Sequence, residues 1–381
     1  MSRPVTSPPR TPWLELGLLF AGSRALVALV GWMGVHVLEA GKFGRRSADM
    51  PMMFFQWDSG WFRSVARDGY FLHPGKASNI AFFPLYPMLM RWFGAVLGGP
   101  EAAGFLVSNA AFFGAIILLW KLVERDAAQS NGGVLPGDGD LAVRLLAFGP
   151  VSFFFSTVYS ESTFLFLALA CVYAGRCRRW WIAGLAGFAA ALARNAGLLL
   201  CVPLLIELLA EPPRDEAAAP PRRWIHVAAC LLPAMGIVVW SAHLWWRFGD
   251  PLLFLKVQRA WGRHLDWPWR SFNRQNLGFT PPFYNWWFVA HSATAVALLV
   301  AGFFARLRPS YLALAAAMVL LDFSATHLEA IPRLLSVIFP LYISGAVLLR
   351  GRPAAASLVL AASAALLAFS TLLFTNGYWF T

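Results

Sequence analysis

The sequence predicts an all-α, polytopic membrane protein with about eleven spans, and three observations carry that reading. Of 381 residues, 59% are apolar and 13% charged, where soluble domains carry about 25% charge. Apolar runs near the length that crosses a hydrocarbon core, about 20 residues, recur from Trp13 to Phe374 and leave no segment for a sizeable soluble domain. The basic residues sit in short clusters between those runs, the pattern of cytoplasmic loops in multi-pass proteins.

Taken in order, residues 1–12, with four Pro, read as a cytoplasmic tail, and 13–381 as a single membrane domain. The apolar spans are 13–37, 101–123, 140–157, 160–176, 179–193, 195–210, 223–246, 285–305, 309–327, 331–349 and 353–374. The first keeps Glu15 and Arg24 and is followed by no small-residue cleavage site, so it reads as a retained helix and not a signal peptide. Residues 80–98 are long enough to cross but contain Pro84, Pro87 and Arg91. If they lie in the interface, the basic clusters fall on one side: Arg3 and Arg10; Lys121, Arg125 and Arg144; Arg176, Arg178 and Arg179; Arg214, Arg222 and Arg223; Arg306 and Arg308; Arg350 and Arg352. The opposite short connections then carry only Arg194 and Arg333. If they cross, every later cluster changes side, so the interfacial reading is preferred. It leaves two long outer loops, 38–98 and 247–284, and a Pro/Ala-rich cytoplasmic linker at 211–221. The Ala, Gly and Arg richness fits a GC-rich bacterial genome, and hence the cytoplasmic membrane of a bacterium.

Several function classes drop out. The net charge of +12 is dispersed and never forms a long basic tract, so anionic lipid is a better partner than nucleic acid. Cys171, Cys177, Cys201 and Cys230 show neither CxxC spacing nor His partners in register, which indicates neither a zinc site nor a disulfide framework. Glycine-rich phosphate loops, nucleophile elbows and HExxH are absent, which disfavours nucleotide binding, serine esterases and zincins. No cofactor or metal is indicated.

The densest chemical signal is Gln56-Trp57-Asp58-Ser59-Gly60-Trp61-Phe62. On a helix Trp57 and Trp61 share one face and anchor it in the interface, which holds Asp58 at the membrane surface as a general base or, in the plainer alternative, a helix N-cap or solvated acid. Glu161 lies at the outer break between two apolar runs, where ionisable groups face cavities or partners. Its nearest candidate partner is Arg194, between two spans of about 15 residues, roughly 22 Å each, and therefore below the outer surface. Each reads equally as half of a structural ion pair or as a ligand site. Arg333 and Arg24 are further cations at membrane depth, the alternatives being snorkelling or helix packing. The loop 247–284 adds Arg247, Lys256, Arg259, Arg263, Arg270 and Arg274, and the first loop Lys42, Arg45, Arg46, Arg63, Arg67 and Lys76; both suit an anionic head group, with interleaved Trp at the interface. His264 and His327 are candidate functional imidazoles, and Asp322 reads as pairing locally.

The strings FFQWDSGWFRSVARDGY at 54–70, AFFPLYPMLMRWFG at 81–94, FGPVSFFFSTVYSESTFLFL at 148–167, ALARNAGLLL at 191–200, GDPLLFLKVQRAWGR at 249–263, IPRLLSVIFPLYI at 331–343 and GYWF at 377–380 resemble the PIG-V family of mannosyltransferases, in its bacterial branch. The resemblance implies a GT-C fold, with juxtamembrane helices and an essential acid in the first outer loop. It matches Asp58 to that acid, Glu161 to the second outer acidic position and Arg194 to the following basic position. The chain departs from the common pattern at Ala193-Arg194-Asn195 and Trp61-Phe62.

Residues and resemblance together lead to the expectation of an inverting transfer of a sugar, mannose, from a polyprenyl-phosphate-sugar donor to a lipid or protein acceptor at the outer face. Asp58 takes the acceptor proton; Arg194, Arg333 and the loop cations Arg259, Arg263 and His264 meet the phosphate; Trp57 and Trp61 line the substrate. A flippase or transporter of lipid-linked sugars is the alternative from another class, since it needs cavity charges but no base.

Overall fold

The structure is a computed structural model describing residues 10–37, 47, 49–50, 52–129, 133–210, 221–272, 283–325 and 330–378. Arg3, Lys42, Arg45, Arg46, Arg214, Arg274, His327 and the end of the GYWF string lie outside the described residues.

The described residues are helical almost throughout, with one isolated β-bridge and no named strand. After α1 (Trp13–Val37), a turn of 3-10 helix at Met52–Phe54 leads to α2 (Ser59–Asp68) and α3 (Leu85–Gly94). Then come α4 (Pro100–Ala128), α5 (Asp138–Ala147), α6 (Glu161–Arg176), α7 (Trp180–Ala193), α8 (Cys201–Ala210) and α9 (Pro221–Phe248). The loop 247–284 carries the short α10 (Leu253–Lys256), and α11 (Phe283–Phe304), α12 (Pro309–Phe323), α13 (Ile331–Ser336), α14 (Phe339–Leu349) and α15 (Pro353–Thr375) follow. Among them α1, α4, α9, α11 and α15 are long and apolar enough to cross a membrane. The molecule is a multi-pass membrane protein.

The segment 80–98 forms no helix long enough to cross. Its helix α3 has ten residues, about 15 Å at 1.5 Å per residue, half the thickness of a hydrocarbon core, and Pro84 stands at its N-cap. Two other apolar runs are broken. The run 140–157 is α5 followed, past Gly149 and Pro150, by a 3-10 turn at Ser152–Ser156, and 331–349 is α13 and α14, separated before Pro340. Proline withholds a backbone donor and disfavours the helical conformation in the residue before it.

Small residues let the central helices approach. A Cβ on Gly184 of α7 would stand 2.2 Å from the Ala229 carbonyl oxygen of α9, and one on Gly236 would stand 2.7 Å from the Phe188 oxygen; such contacts replace the missing hydrophobic drive between helices in lipid. Aromatic rings fill the middle of the bundle, with Phe112 stacked on Phe155 at 4.6 Å and Phe153 against Phe374 at 4.9 Å.

Charges gather at two ends. At one, Arg176 pairs with Asp126 at 2.7 Å and Glu207 at 3.0 Å, Arg308 reaches Glu207 at 2.9 Å, and Arg350 pairs with Asp138. The Tyr311 hydroxyl donates to Asp126. At the other end lie Asp58, Glu161, Arg194 and Arg333, so Arg176, Arg308 and Arg350 stand apart from Arg194 and Arg333 as the charge count groups them.

Candidate active site

Asp58 occupies the N-cap position of α2, but its side chain makes no capping bond. Its backbone N–H donates to the Tyr159 hydroxyl at 3.2 Å, and that hydroxyl donates to the Gln56 carbonyl at 3.2 Å. The carboxylate instead accepts from Arg333 Nη1 at 2.9 Å. The turn that permits this is at Trp57, whose φ of 48° is unusual for a bulky residue. This corrects the shared helical face expected of Trp57 and Trp61, because Trp57 precedes the helix. Trp57 packs against the main core, while Trp61, on α2, stacks on Phe82 at 6.1 Å and meets Trp261 of the second loop edge-on at 5.2 Å.

The first loop is held down by its own polar groups. Arg63 and Arg67 of α2 both pair with Glu101 in the first turn of α4, and Asn79 donates to Ser64 and to the Gly69 carbonyl while accepting from the Phe71 N–H.

Glu161 opens α6 and is 0% exposed. Its Oε1 accepts from Arg194 and lies 3.4 Å from Arg333 Nη1. Arg194 reaches it because α7 ends there: the residue is extended, at φ −156° and ψ 145°, between α7 and the 3-10 turn Asn195–Leu200. The chain turns back so tightly that a Cβ on Gly197 would fall 2.3 Å from the Ala191 nitrogen, so glycine is required there. Arg333, on α13, is buried over the rings of Tyr159 at 5.0 Å and Phe154 at 5.8 Å.

Asp58, Arg333, Glu161 and Arg194 thus form one alternating string of acids and guanidiniums drawn from four elements. Within it Glu161 Oε2 and Arg333 Nε are buried and have no hydrogen-bond partner, so an acceptor and a donor are left unused where nearly all buried polar groups are paired. Asp58, with 24% of its side chain exposed, is the acid of the string that an incoming molecule can reach, against 0% for Glu161.

Other candidates sit differently. Arg259 and His264 are exposed on the second loop, and Arg263 is half-buried there. Arg24 is buried: its guanidinium donates to the carbonyls of Ala147 and Ser152 and to the hydroxyls of Ser152 and Ser156, 4.6 Å from the Phe112 ring. Tyr159, the hinge of the Asp58 turn, was visible in the sequence only as the neighbour of Glu161. The four cysteines are free thiols, and among the described residues no group of three or more His, Cys, Asp or Glu side chains is gathered as metal ligands.

No family model and no curated protein matches this chain. A crystal structure of ArnT from Cupriavidus metallidurans, bound to undecaprenyl phosphate, is similar over 95% of this chain with a TM-score of 0.57 and 14% identity. This chain has the fold of ArnT. It is the GT-C fold, and the chain spans 65% of the length of that ArnT.

Proposed function

We propose that the protein is an inverting glycosyltransferase of the PIG-V type, moving mannose from a polyprenyl-phosphate donor to a lipid or protein acceptor at the outer face of the bacterial cytoplasmic membrane. The observation that carries the reading is the Asp58–Arg333–Glu161–Arg194 string, which puts a reachable carboxylate beside two guanidiniums at one end of a membrane bundle. The ArnT likeness supports it, since that protein's structure holds undecaprenyl phosphate.

Without substrate, the two arginines neutralise Asp58 and Glu161. An arriving donor phosphate competes for them, and as Arg333 turns to it Asp58 is released to act as a base. The acceptor oxygen then forms its bond to the anomeric carbon from the face opposite the phosphate, and the hydroxyl proton passes to Asp58. The bond from the anomeric carbon to the phosphate oxygen breaks with its electron pair on that oxygen. The extra negative charge falls to Arg333 and Arg194, with Arg259, Arg263 and His264 adding positive potential from the second loop; each such preorganised donor is worth about 3–4 kcal/mol. Trp57 and Trp61 fix the depth of the first loop.

The test is the purified full chain in nanodiscs with undecaprenyl-phosphate-mannose and a bacterial membrane extract as acceptor, followed by mass spectrometry. A new mannosyl conjugate with release of undecaprenyl phosphate is expected. In sealed vesicles, movement of intact donor across the bilayer with no new glycosidic bond overturns the reading in favour of a flippase.

A further inference from the structure

The second outer loop is sewn to the end of α12. Leu265 and Ala325 form an antiparallel β-bridge, the Asp266 N–H donates to the Ser324 carbonyl at 2.8 Å, and the Ser271 hydroxyl reaches the carbonyls of Phe323 and Ala325. These bonds converge within three residues of Asp322, the acid in the otherwise apolar α12.

Asp322 pairs with nothing in its own helix. Among the described residues the cations near enough to act on it are Arg194 and Arg263, the first already bonded to Glu161. The packing agrees, because α12 lies against the 3-10 turn Asn195–Leu200 that follows Arg194, and the sewn loop brings Arg263 to the same end. The string of alternating charges therefore continues from Arg194 through Asp322 to the second loop. Yet the carboxylate accepts no hydrogen bond among the described residues, and it is half-buried rather than sealed. An acid at membrane depth with near cations and, among the described residues, no donor on its oxygens is a candidate ligand position.

We propose that Asp322 binds hydroxyl groups of the donor sugar. A phosphate is repelled from this carboxylate, whereas vicinal hydroxyls of a hexose present two O–H donors to its two oxygens. The site thus divides its ligand: guanidiniums take the phosphate, and Asp322 takes the polyol. This rests on the glycosyltransferase reading above and names the residue that tells a loaded carrier from an empty one.

The experiment measures binding of two probes, undecaprenyl phosphate and undecaprenyl-phosphate-mannose, to the full chain in nanodiscs by tryptophan fluorescence. Wild type prefers the mannosylated probe. Asp322→Asn and Asp322→Ala are expected to hold undecaprenyl phosphate with a Kd within about twofold of wild type and to lose about tenfold or more of the preference. Monodeoxy-mannosyl probes locate the contact: the hydroxyl whose removal weakens wild type has no effect on Asp322→Ala. A folded variant that keeps the whole preference overturns the assignment, as does one that loses both probes equally, which would make Asp322 a support for Arg194. A wild type that binds neither probe overturns the glycosyltransferase reading and this proposal with it.

Discussion

Asp58 and Arg333 are 275 residues apart in the chain, and their carboxylate and guanidinium meet at 2.9 Å. Arg333 Nη1 also lies 3.4 Å from Glu161, so one cation joins the first outer loop, α6 and α13. Two acids that would repel one another are held at one end of the bundle because a planar, permanently charged fork stands between them.

Arg333→Met leaves Asp58 and Glu161 facing each other without this charge. Removing one partner of a buried pair costs about 3–5 kcal/mol, and a drop in thermal stability in detergent is expected. Adding Asp58→Asn to Arg333→Met should restore much of the loss. Singles and a double that lose stability additively would show that the pair is not coupled.

The members of this string were legible one by one, since each is an ionisable residue in or beside an apolar run. The Glu161–Arg194 pair was legible too, because the topology sets both at the same end of neighbouring runs, whereas nothing in local spacing links position 58 to 333. Helix breaks were half legible: Pro84 and Pro87 set 80–98 apart from the continuous spans, with the charge count favouring an interfacial segment, while Pro150 and Pro340 stand inside runs that hydropathy alone reads as continuous. Periodicity failed at Trp57, where a left-handed turn, invisible to hydrophobic pattern, sets the Trp outside the helix it was assigned to. Asp322 looked like a locally paired acid because the loop that approaches it lies more than fifty residues upstream.

Arg194 and Glu161 provide a second cycle. Glu161 is wholly buried and bonded to Arg194, so Arg194→Ala and Glu161→Gln should each lower stability and together lower it less than their sum, with a coupling of about 0.5–3 kcal/mol. Donor binding should fall in Arg194→Ala and not return in the double variant, because a phosphate loses its charge-assisted bond whatever stands at 161. Recovery of binding in the double would confine Arg194 to a structural role.

Arg24 sits in the break between α5 and the Ser152–Ser156 turn and holds the segment that leads to Tyr159 and Glu161. Arg24→Met takes the guanidinium donor from the Ser152 carbonyl and leaves the Ala147 carbonyl to the Ser152 hydroxyl, at about 1–3 kcal/mol for a buried group that loses its partner. A lower unfolding temperature is expected, with partial rescue by Arg24→Lys, which keeps the charge but not the fork. Full stability in Arg24→Met would mean that water or a neighbouring hydroxyl serves those carbonyls.

Orientation is open to a labelling test. In a Cys-free background, His73→Cys in the first outer loop should react with an impermeant maleimide in intact cells, and Glu216→Cys only after permeabilisation. Reaction at 216 from outside would invert the assignment of every loop.

Asp58 as the base makes the most exacting demand. Asp58→Asn keeps the size of the side chain and its capacity to accept a hydrogen bond from Arg333, so membrane insertion and binding of undecaprenyl-phosphate-mannose should survive. It cannot take the acceptor's proton, so turnover should fall by about 10²–10⁴-fold, the usual worth of general base catalysis. Loss of the pair also frees Arg333 from its acid, and donor binding is expected to hold or tighten, which separates this variant from Arg194→Ala. Glu161, the other acid beside Arg333, is wholly buried and tied to Arg194, so it is placed to hold charge and not to exchange protons with an incoming hydroxyl. Stopped-flow mixing with donor and acceptor, read by mass spectrometry of the product, distinguishes slow chemistry from failed binding. Near-native transfer by a well-folded Asp58→Asn protein would remove Asp58 from the mechanism and turn attention to Glu161.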